Sequence, residues 1–353
     1  MNKHLAKAVN LLDERQLDCL VVTNLRNVRY LSGFSGSAGI LLISRGKNLL
    51  YTDFRYKEQA GHQTEGFAVK LYDGDIFEAL GVEMSEYRTV GFEEKHITVE
   101  NFERMKKSVA GKSWFALNLD DLRMIKDSDE IGMIETAANI ADKAFAQLLP
   151  QLCVGMAEIE AAARLEFYMR QLGADGTSFS TIVASGARSS LPHGQPTEKR
   201  LAAGDFITFD FGAIYKGYCS DITRTVILGK ADNRQRLIYN IVLSAQLAAL
   251  SALKPGIACS AVDGEARTAI KEAGYGEYFG HSTGHSIGLA IHEDPRLSKV
   301  CHAILRAGMV VTVEPGIYIP SWGGVRIEDI AVITDSGARV LTATGKELLE
   351  LEA

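Results

Sequence analysis

Two stretches of this chain repeat each other in register, and both end on an acid. The first runs Leu201-Ala202-Ala203-Gly204-Asp205-Phe206-Ile207-Thr208-Phe209-Asp210, the second Leu305-Arg306-Ala307-Gly308-Met309-Val310-Val311-Thr312-Val313-Glu314. Leu, Ala-Gly and Thr recur at matching positions, and each closing acid interrupts an apolar, strand-like run. A second acid follows each stretch, Asp221 after the first and Glu328 after the second. The duplication extends upstream. Helix-like stretches open at Gly155-Met156-Ala157 and Gly256-Ile257-Ala258 and stop at Gly173 and Gly274, both spans being eighteen residues. A plan repeated only twice is too short for a solenoid. Residues from about 127 onward therefore read as two halves of one closed domain, each a helix followed by paired strands, related by an approximate two-fold axis.

The acids then face a physical problem. Tyr215-Lys216-Gly217 is a turn centred between Asp210 and Asp221, which makes the pair near cross-strand neighbours on one face of a hairpin. Glu314 and Glu328 flank Ile319-Pro320-Ser321-Trp322-Gly323-Gly324 in the same way. Like charges opposed on a sheet repel, and Phe206, Ile207, Phe209, Phe211 and Ile222 keep water away from the first pair. A solvent-facing hairpin with incidental acids is the plain alternative, and the recurrence argues against it. Carboxylates converging in an apolar setting carry a prohibitive desolvation cost without a cation between them.

Between the two hairpins, His281, His285 and His292 fall within twelve residues. The spacing of His281 and His285 suits a zinc-binding helix, but no Glu follows the first His, and Gly284 and Gly288 oppose an uninterrupted helix. A strand or loop presenting His285 is the better fit. His193 sits in the rigid string Leu191-Pro192-His193-Gly194-Gln195-Pro196, which can aim a side chain into a cleft. One imidazole with four carboxylates is a hard, oxygen-rich set suited to Mn, Fe, Co or Zn. Two such ions, roughly 3.5 Å apart, lower the pKa of a shared water and polarise a carbonyl.

The remaining properties bound the setting. A length of 353 residues predicts about two domains. A net charge of −6 with mixed signs offers no nucleic-acid or membrane surface, and no apolar run reaches the roughly 18–20 residues of a membrane span. The N-terminus reads as an amphipathic helix, not a signal peptide. Five scattered cysteines without CxxC pairing point to small core residues in a reducing, cytoplasmic compartment. The first 123 residues alternate helix and strand patterns. Leu20–Thr23 reads as a buried strand, and Gly39–Ser44 and Asn48–Thr52 as a hairpin. The boundary falls near Met124-Ile125-Lys126. Asp127 with Glu130 has capping-box spacing for a helix running toward Leu149. Ser178–Val183 reads as a strand, and residues about 233–253 as the helix closing the first half.

In order and spacing, Asp210, Asp221, His285, Glu314 and Glu328 resemble the five ligands of the pita-bread metallopeptidases, which include methionine aminopeptidase, aminopeptidase P and prolidase. Asp210-Phe211-Gly212, Ser220-Asp221-Ile222-Thr223-Arg224-Thr225, Val313-Glu314-Pro315-Gly316-Ile317-Tyr318 and Gly324-Val325-Arg326-Ile327-Glu328-Asp329 are similar to the Xaa-Pro branch. Asn27–Phe34 and Tyr51–Tyr56 resemble the creatinase/prolidase N-terminal domain. The resemblance spans essentially the whole chain. It implies an α/β (α+β) fold, with a creatinase/prolidase-like N-terminal α/β domain over 1–123 and a pseudo-two-fold pita-bread catalytic domain over 124–353. It also implies two divalent metal ions per chain, manganese first and cobalt, zinc or iron as alternatives. Asp210 would chelate one ion, His285 and Glu314 the other, and Asp221 and Glu328 would bridge. Glu314 would shuttle the proton of the water, and His193 and His292 would hydrogen-bond the scissile peptide and the tetrahedral intermediate. His281 and Arg326 would help orient the substrate and the groups behind the ligands. Ser286 departs from the pattern, standing where the family usually has Gly.

The activity so implied is removal of an N-terminal residue preceding proline, from dipeptides or short peptides, by a cytoplasmic homodimer that binds neither nucleic acid nor membrane. A Xaa-Pro amide lacks an N–H and has a fixed φ, which defeats the extended docking of ordinary protease substrates. The rivals are a broader aminopeptidase, a creatinase-like hydrolase and a metal-free binding module. The last two predict lost ligands, and all five are present.

Overall fold

The computed structural model describes residues 2–352. The chain divides into two compact units, Met1–Arg123 and Met124–Ala353.

The first unit is a six-stranded sheet in the order Ala68–Leu71, Asn48–Thr52, Ile40–Ser44, Cys19–Val22, Thr89–Glu93, Ser113–Leu117. Cys19–Val22 lies at its centre, antiparallel to Ile40–Ser44 and parallel to Thr89–Glu93. All four of its residues are buried, which explains why it reads as a continuous apolar run. The N-terminal segment forms the helix Lys3–Glu14, capped by the Asn2 side chain accepting from His4 and Leu5 amides.

The second unit shows the duplication in its hydrogen bonds. Gly155 N donates to Leu201 O at 2.9 Å, and Gly256 N to Leu305 O at 2.9 Å; Leu201 N donates to Met156 O, and Leu305 N to Ile257 O, each at 2.9 Å. Gly204 N to Leu228 O (2.7 Å) is answered by Gly308 N to Ile333 O (2.9 Å). In each half a helix pair backs a sheet: Ser128–Leu148 with Glu158–Gln171, then Asn233–Ala252 with Cys259–Glu272. The matching sheet strands are Ile182–Ser185, Phe206–Phe211 and Ile222–Leu228 in the first half. In the second they are Gly284–Ser286, Val310–Val313 and Asp329–Ile333. Each half packs its own core, around Phe145, Leu165 and Phe209 in one and Val242, Val262 and Val311 in the other. The expected capping box is present, Asp127 and Glu130 exchanging side-chain and backbone bonds at the start of Ser128–Leu148. Among the described residues no helix is long and apolar enough to cross a membrane.

Two local expectations need correction. Of the strand expected over Ser178–Val183, only Ile182 and Val183 are in one: Ile182–Ser185 pairs with Phe206–Phe211, residues 178–181 are irregular, and the preceding Gly176–Thr177 pairs with Ala213–Tyr215. The chain changes sheet because its partner strand breaks at Gly212, where a Cβ would stand 1.9 Å from the Ser220 carbonyl oxygen. The hairpin turn is the two-residue Lys216-Gly217, with φ of 47° and 82°, the primed geometry that suits strand twist. Its register pairs Asp210 with Thr223, so Asp221 lies diagonally across from Asp210. In the second half, Val313 pairs with Asp329 and Gly316 with Arg326, which sets Glu314 opposite Glu328.

Candidate metal centre

Asp210 is the last residue but one of the strand Phe206–Phe211, Asp221 directly precedes Ile222–Leu228, and Glu314 directly follows Val310–Val313. Glu328 precedes Asp329–Ile333, and His285 is the middle residue of Gly284–Ser286. Strand ends from both halves thus meet at one place. Ligand atoms of Asp221, His285 and Glu328 lie within 4.8 Å of one another, all three residues buried. His285 Nε2 stands 3.5 Å from Asp221 Oδ2 and 3.4 Å from Glu314 Oε1.

The electrostatics are those of a site awaiting positive charge. Burial, then the neighbouring Asp210 and Glu314, push the Asp221 carboxyl well above the usual carboxylate range. Burial and then Asp221, Glu314 and Asp210 do the same to Glu328. Asp210 Oδ1 and Glu328 Oε1 are buried with no hydrogen-bond partner among the described residues. His285 Nδ1 is 3.0 Å from the Ser286 carbonyl oxygen. Nδ1 therefore donates to that carbonyl, and Nε2 faces the carboxylates. Hard carboxylate oxygens with one imidazole nitrogen among them are a donor set that fits divalent metal ions.

A hydrogen-bonded chain supports the ligands from behind. Arg326 donates to Asp210 Oδ2 at 2.6 Å, to Thr223 Oγ1 at 3.0 Å and to Tyr318 Oη at 2.9 Å. Tyr318 Oη is 2.8 Å from His281 Nε2, and His281 Nδ1 is 2.8 Å from Ser282 O. Both ring nitrogens of His281 are thus engaged by protein groups. Burial and then the Arg326 charge push its imidazole down to about 4, which leaves it neutral near pH 7. Thr223 donates to Glu328 Oε2 at 2.7 Å, and Thr312 to Glu314 Oε1 at 3.3 Å.

The cleft over the ligands has two lobes of about 250 Å³ each. His193 and His292 line both; His281, Arg296 and Arg326 border one, and Phe179, Ile182 and Ile291 the other. The His292 ring meets His285 edge-on, centroids 4.4 Å apart. Every residue expected at the site therefore borders this cleft.

Comparison with known proteins decides the family. Residues 132–335 match the model of metallopeptidase family M24, and residues 4–125 that of the creatinase/prolidase N-terminal domain. The chain belongs to metallopeptidase family M24. It is 43% identical over 353 residues to the Xaa-Pro dipeptidase of Pyrococcus furiosus, covering 99% of this chain and 100% of that one. Among solved structures, it is similar to the Xaa-Pro dipeptidase from Bacillus anthracis, with TM-score 0.96, 44% identity and 99% of both chains covered. It is also similar to the X-Pro aminopeptidase from Thermotoga maritima MSB8, with TM-score 0.93, 38% identity, and 98% and 99% covered. The family and fold drawn from the ligand motifs are borne out.

Sequence reasoning missed the supporting residues of this M24 site. Thr223 and Tyr318 belong to the family-like motifs but the motifs imply no role for them, although Thr312 belongs to the recurring frame. The only sequence signal was position: Thr223 and Thr312 each stand two residues from an acid, on its side of the strand.

Proposed function

We propose that this chain is a dinuclear Xaa-Pro exopeptidase, cleaving the bond between an N-terminal residue and proline in dipeptides or short peptides. The observation that carries the reading is two buried carboxylate oxygens, Asp210 Oδ1 and Glu328 Oε1, without a hydrogen-bond partner among the described residues, in a site where His285 Nε2 faces further acids. Asp210 would hold one ion, His285 and Glu314 the other, with Asp221 and Glu328 bridging. Bound there, two divalent ions supply an activated water and a polarised carbonyl.

The chain's own groups supply the rest. Glu314, partly exposed at the cleft floor, takes the proton of the attacking water and returns it to the departing proline nitrogen. His193 and His292 stand on the cleft wall, where they hydrogen-bond the scissile carbonyl and the oxyanion that follows. Arg326 and His281 orient rather than react, since their donors are spent on Asp210, Thr223, Tyr318 and Ser282. The acids leave a place for the cationic N-terminal amine, and the enclosed lobes accept a residue pair without needing a peptide N–H from proline.

Manganese is the proposed resident ion, on the hardness of the donor set. The domains are assigned as 1–123 and 124–353, a reading the two compact units support. A homodimer in the cytoplasm completes the proposal, with none of its five cysteines in a disulfide. The test compares Ala-Pro, Met-Pro, Ala-Pro-Ala and N-acetyl-Ala-Pro-Ala after reconstitution with several metals, read by mass spectrometry. Free-amine substrates are cleaved and the acetylated one is not; equal cleavage of both tripeptides refutes exopeptidase action.

A further inference from the structure

The loop that carries His292 is built around a buried carboxylate, and the cation for that carboxylate comes from far away in the sequence. Glu293 Oε2 lies 2.9 Å from Lys126 Nζ, the two side chains being 4% and 1% exposed. Its other oxygen accepts from the Ala290 amide at 3.1 Å. The backbone wraps tightly against the same carboxylate: a Cβ on Gly288 would stand 2.8 Å from Glu293 Oε2. Gly288 N donates to Ala290 O at 3.1 Å, and Gly288 O accepts from Cys219 N at 2.8 Å. Lys126 is itself anchored, its amide donating to Gly308 O at 2.8 Å. The short loop from Ile287 to His292 is thus pinned at its middle by one carboxylate, which Lys126 neutralises. That loop delivers Ile291 and His292 to the cleft.

We propose that Lys126 is a positioning residue of the reaction, acting through Glu293 to hold the loop that aims His292. The inference rests on the role given to His292 above. A buried ion pair is a poor device for stability alone, because apolar replacements of equal volume are commonly neutral or better. It is a good device for fixing direction, since the ammonium and the Ala290 amide together allow the Glu293 carboxylate one placement. Misplacing a reacting group by about an ångström costs up to 10²-fold in rate.

The test is a double-mutant cycle on the metal-loaded enzyme with Ala-Pro, measuring kcat, KM and metal content. Lys126→Met lowers kcat about tenfold, leaves KM within about twofold and retains both ions. In a His292→Ala background the same substitution lowers kcat no further, because its effect travels through that ring. Glu293→Gln, which keeps an acceptor for Ala290 and loses the charge, reproduces the coupling in case Lys126→Met folds poorly. Equal losses in both backgrounds, or wild-type kcat with only a lower Tm, would overturn the inference. Wild-type kcat in His292→Ala alone would instead remove the role of His292, and the inference with it.

Discussion

Glu158 and Glu328 are glutamates of the same unit, 0% and 1% exposed, yet the chain treats them in opposite ways. Glu158 accepts from Ser185 N and Oγ at 2.8 Å each, from Thr197 N at 3.1 Å and Oγ1 at 2.8 Å, and from Arg188. It staples the helix Glu158–Gln171 to the strand Ile182–Ser185. Glu328 receives the Thr223 hydroxyl on one oxygen, has no partner on the other, and faces more acids. Equal burial with opposite compensation separates a carboxylate that serves the fold from one kept for a ligand. Desolvation is costly for both. At Glu158 the chain supplies the donors, whereas at Glu328 it supplies one, a deficit that the proposed metal ions would make up.

The contrast breaks most directly at Asp221, the acid proposed to bridge. Asp221→Asn is expected to lose at least one of two ions and on the order of 10³-fold in kcat. Without metal, however, the substitution removes one of several mutually repelling charges. The chelated variant therefore unfolds at no lower temperature than chelated wild type. Elemental analysis and thermal denaturation in chelator check both halves. A variant that keeps two ions and full activity would end the metal reading.

Glu158→Ala is the opposite experiment. It takes the carboxylate away from Arg188, which keeps Gln195 O, and from the amides of Ser185 and Thr197, so the loss of stability is about 3 kcal/mol. The folded fraction still binds two ions. Urea denaturation with metal analysis tests this, and loss of metal at unchanged stability would erase the distinction between the two glutamates.

Asp120, in the N-terminal unit, extends the comparison to a titration. Burial alone would raise its carboxyl, but hydrogen bonds from His96, Arg123 and Asn27 outweigh burial and hold it at about 2. The folded value lies below the unfolded one of about 3.9. Its stabilisation is therefore fully present above pH ~4 and disappears as pH falls through 2. Asp120→Asn is expected to cost about 2 kcal/mol at pH 7, with the difference from wild type closing between pH ~4 and ~2. Trp114 fluorescence in a Trp322→Phe background follows this unit. A constant difference across that window would show that the carboxylate's charge is not what matters.

The fold and the ligands were legible for the same reason. Each candidate acid lies in or directly beside an apolar strand, and duplication makes the pattern visible twice, at Asp210 and Glu314. Helix starts were legible from local chemistry, as with Asp127 and Glu130. The change of sheet at Phe179–Thr181 was not, because it depends on Gly212 approaching Ser220, a contact no propensity encodes. Nor were the supports, since Thr223 meets Glu328 and Arg326 across more than a hundred residues of chain. Such contacts exist only after the two halves close, whereas the acids betray themselves by being charged where the strand pattern requires apolar side chains.

Two threonines carry the finest version of the comparison. Thr223 Oγ1 donates to Glu328 at 2.7 Å, and Thr197 Oγ1 donates to Glu158 at 2.8 Å, the same bond to the same kind of buried glutamate. Valine matches threonine in shape, so each substitution removes little but the hydroxyl. At Thr197 four donors remain around Glu158, and the effect is a stability loss of about 1 kcal/mol with metal affinity unchanged. At Thr223 the hydroxyl is the only protein donor the Glu328 carboxylate is seen to accept among the described residues, and it also receives Arg326 Nε at 3.0 Å. Losing it frees the carboxylate to turn, and support of this kind is typically worth about 10-fold or more in metal affinity. Isothermal titration of chelated Thr223→Val and Thr197→Val with manganese separates the two. If both variants bind metal alike, the hydroxyl at Thr223 serves the fold, and the contrast between these glutamates reduces to how many donors each was given.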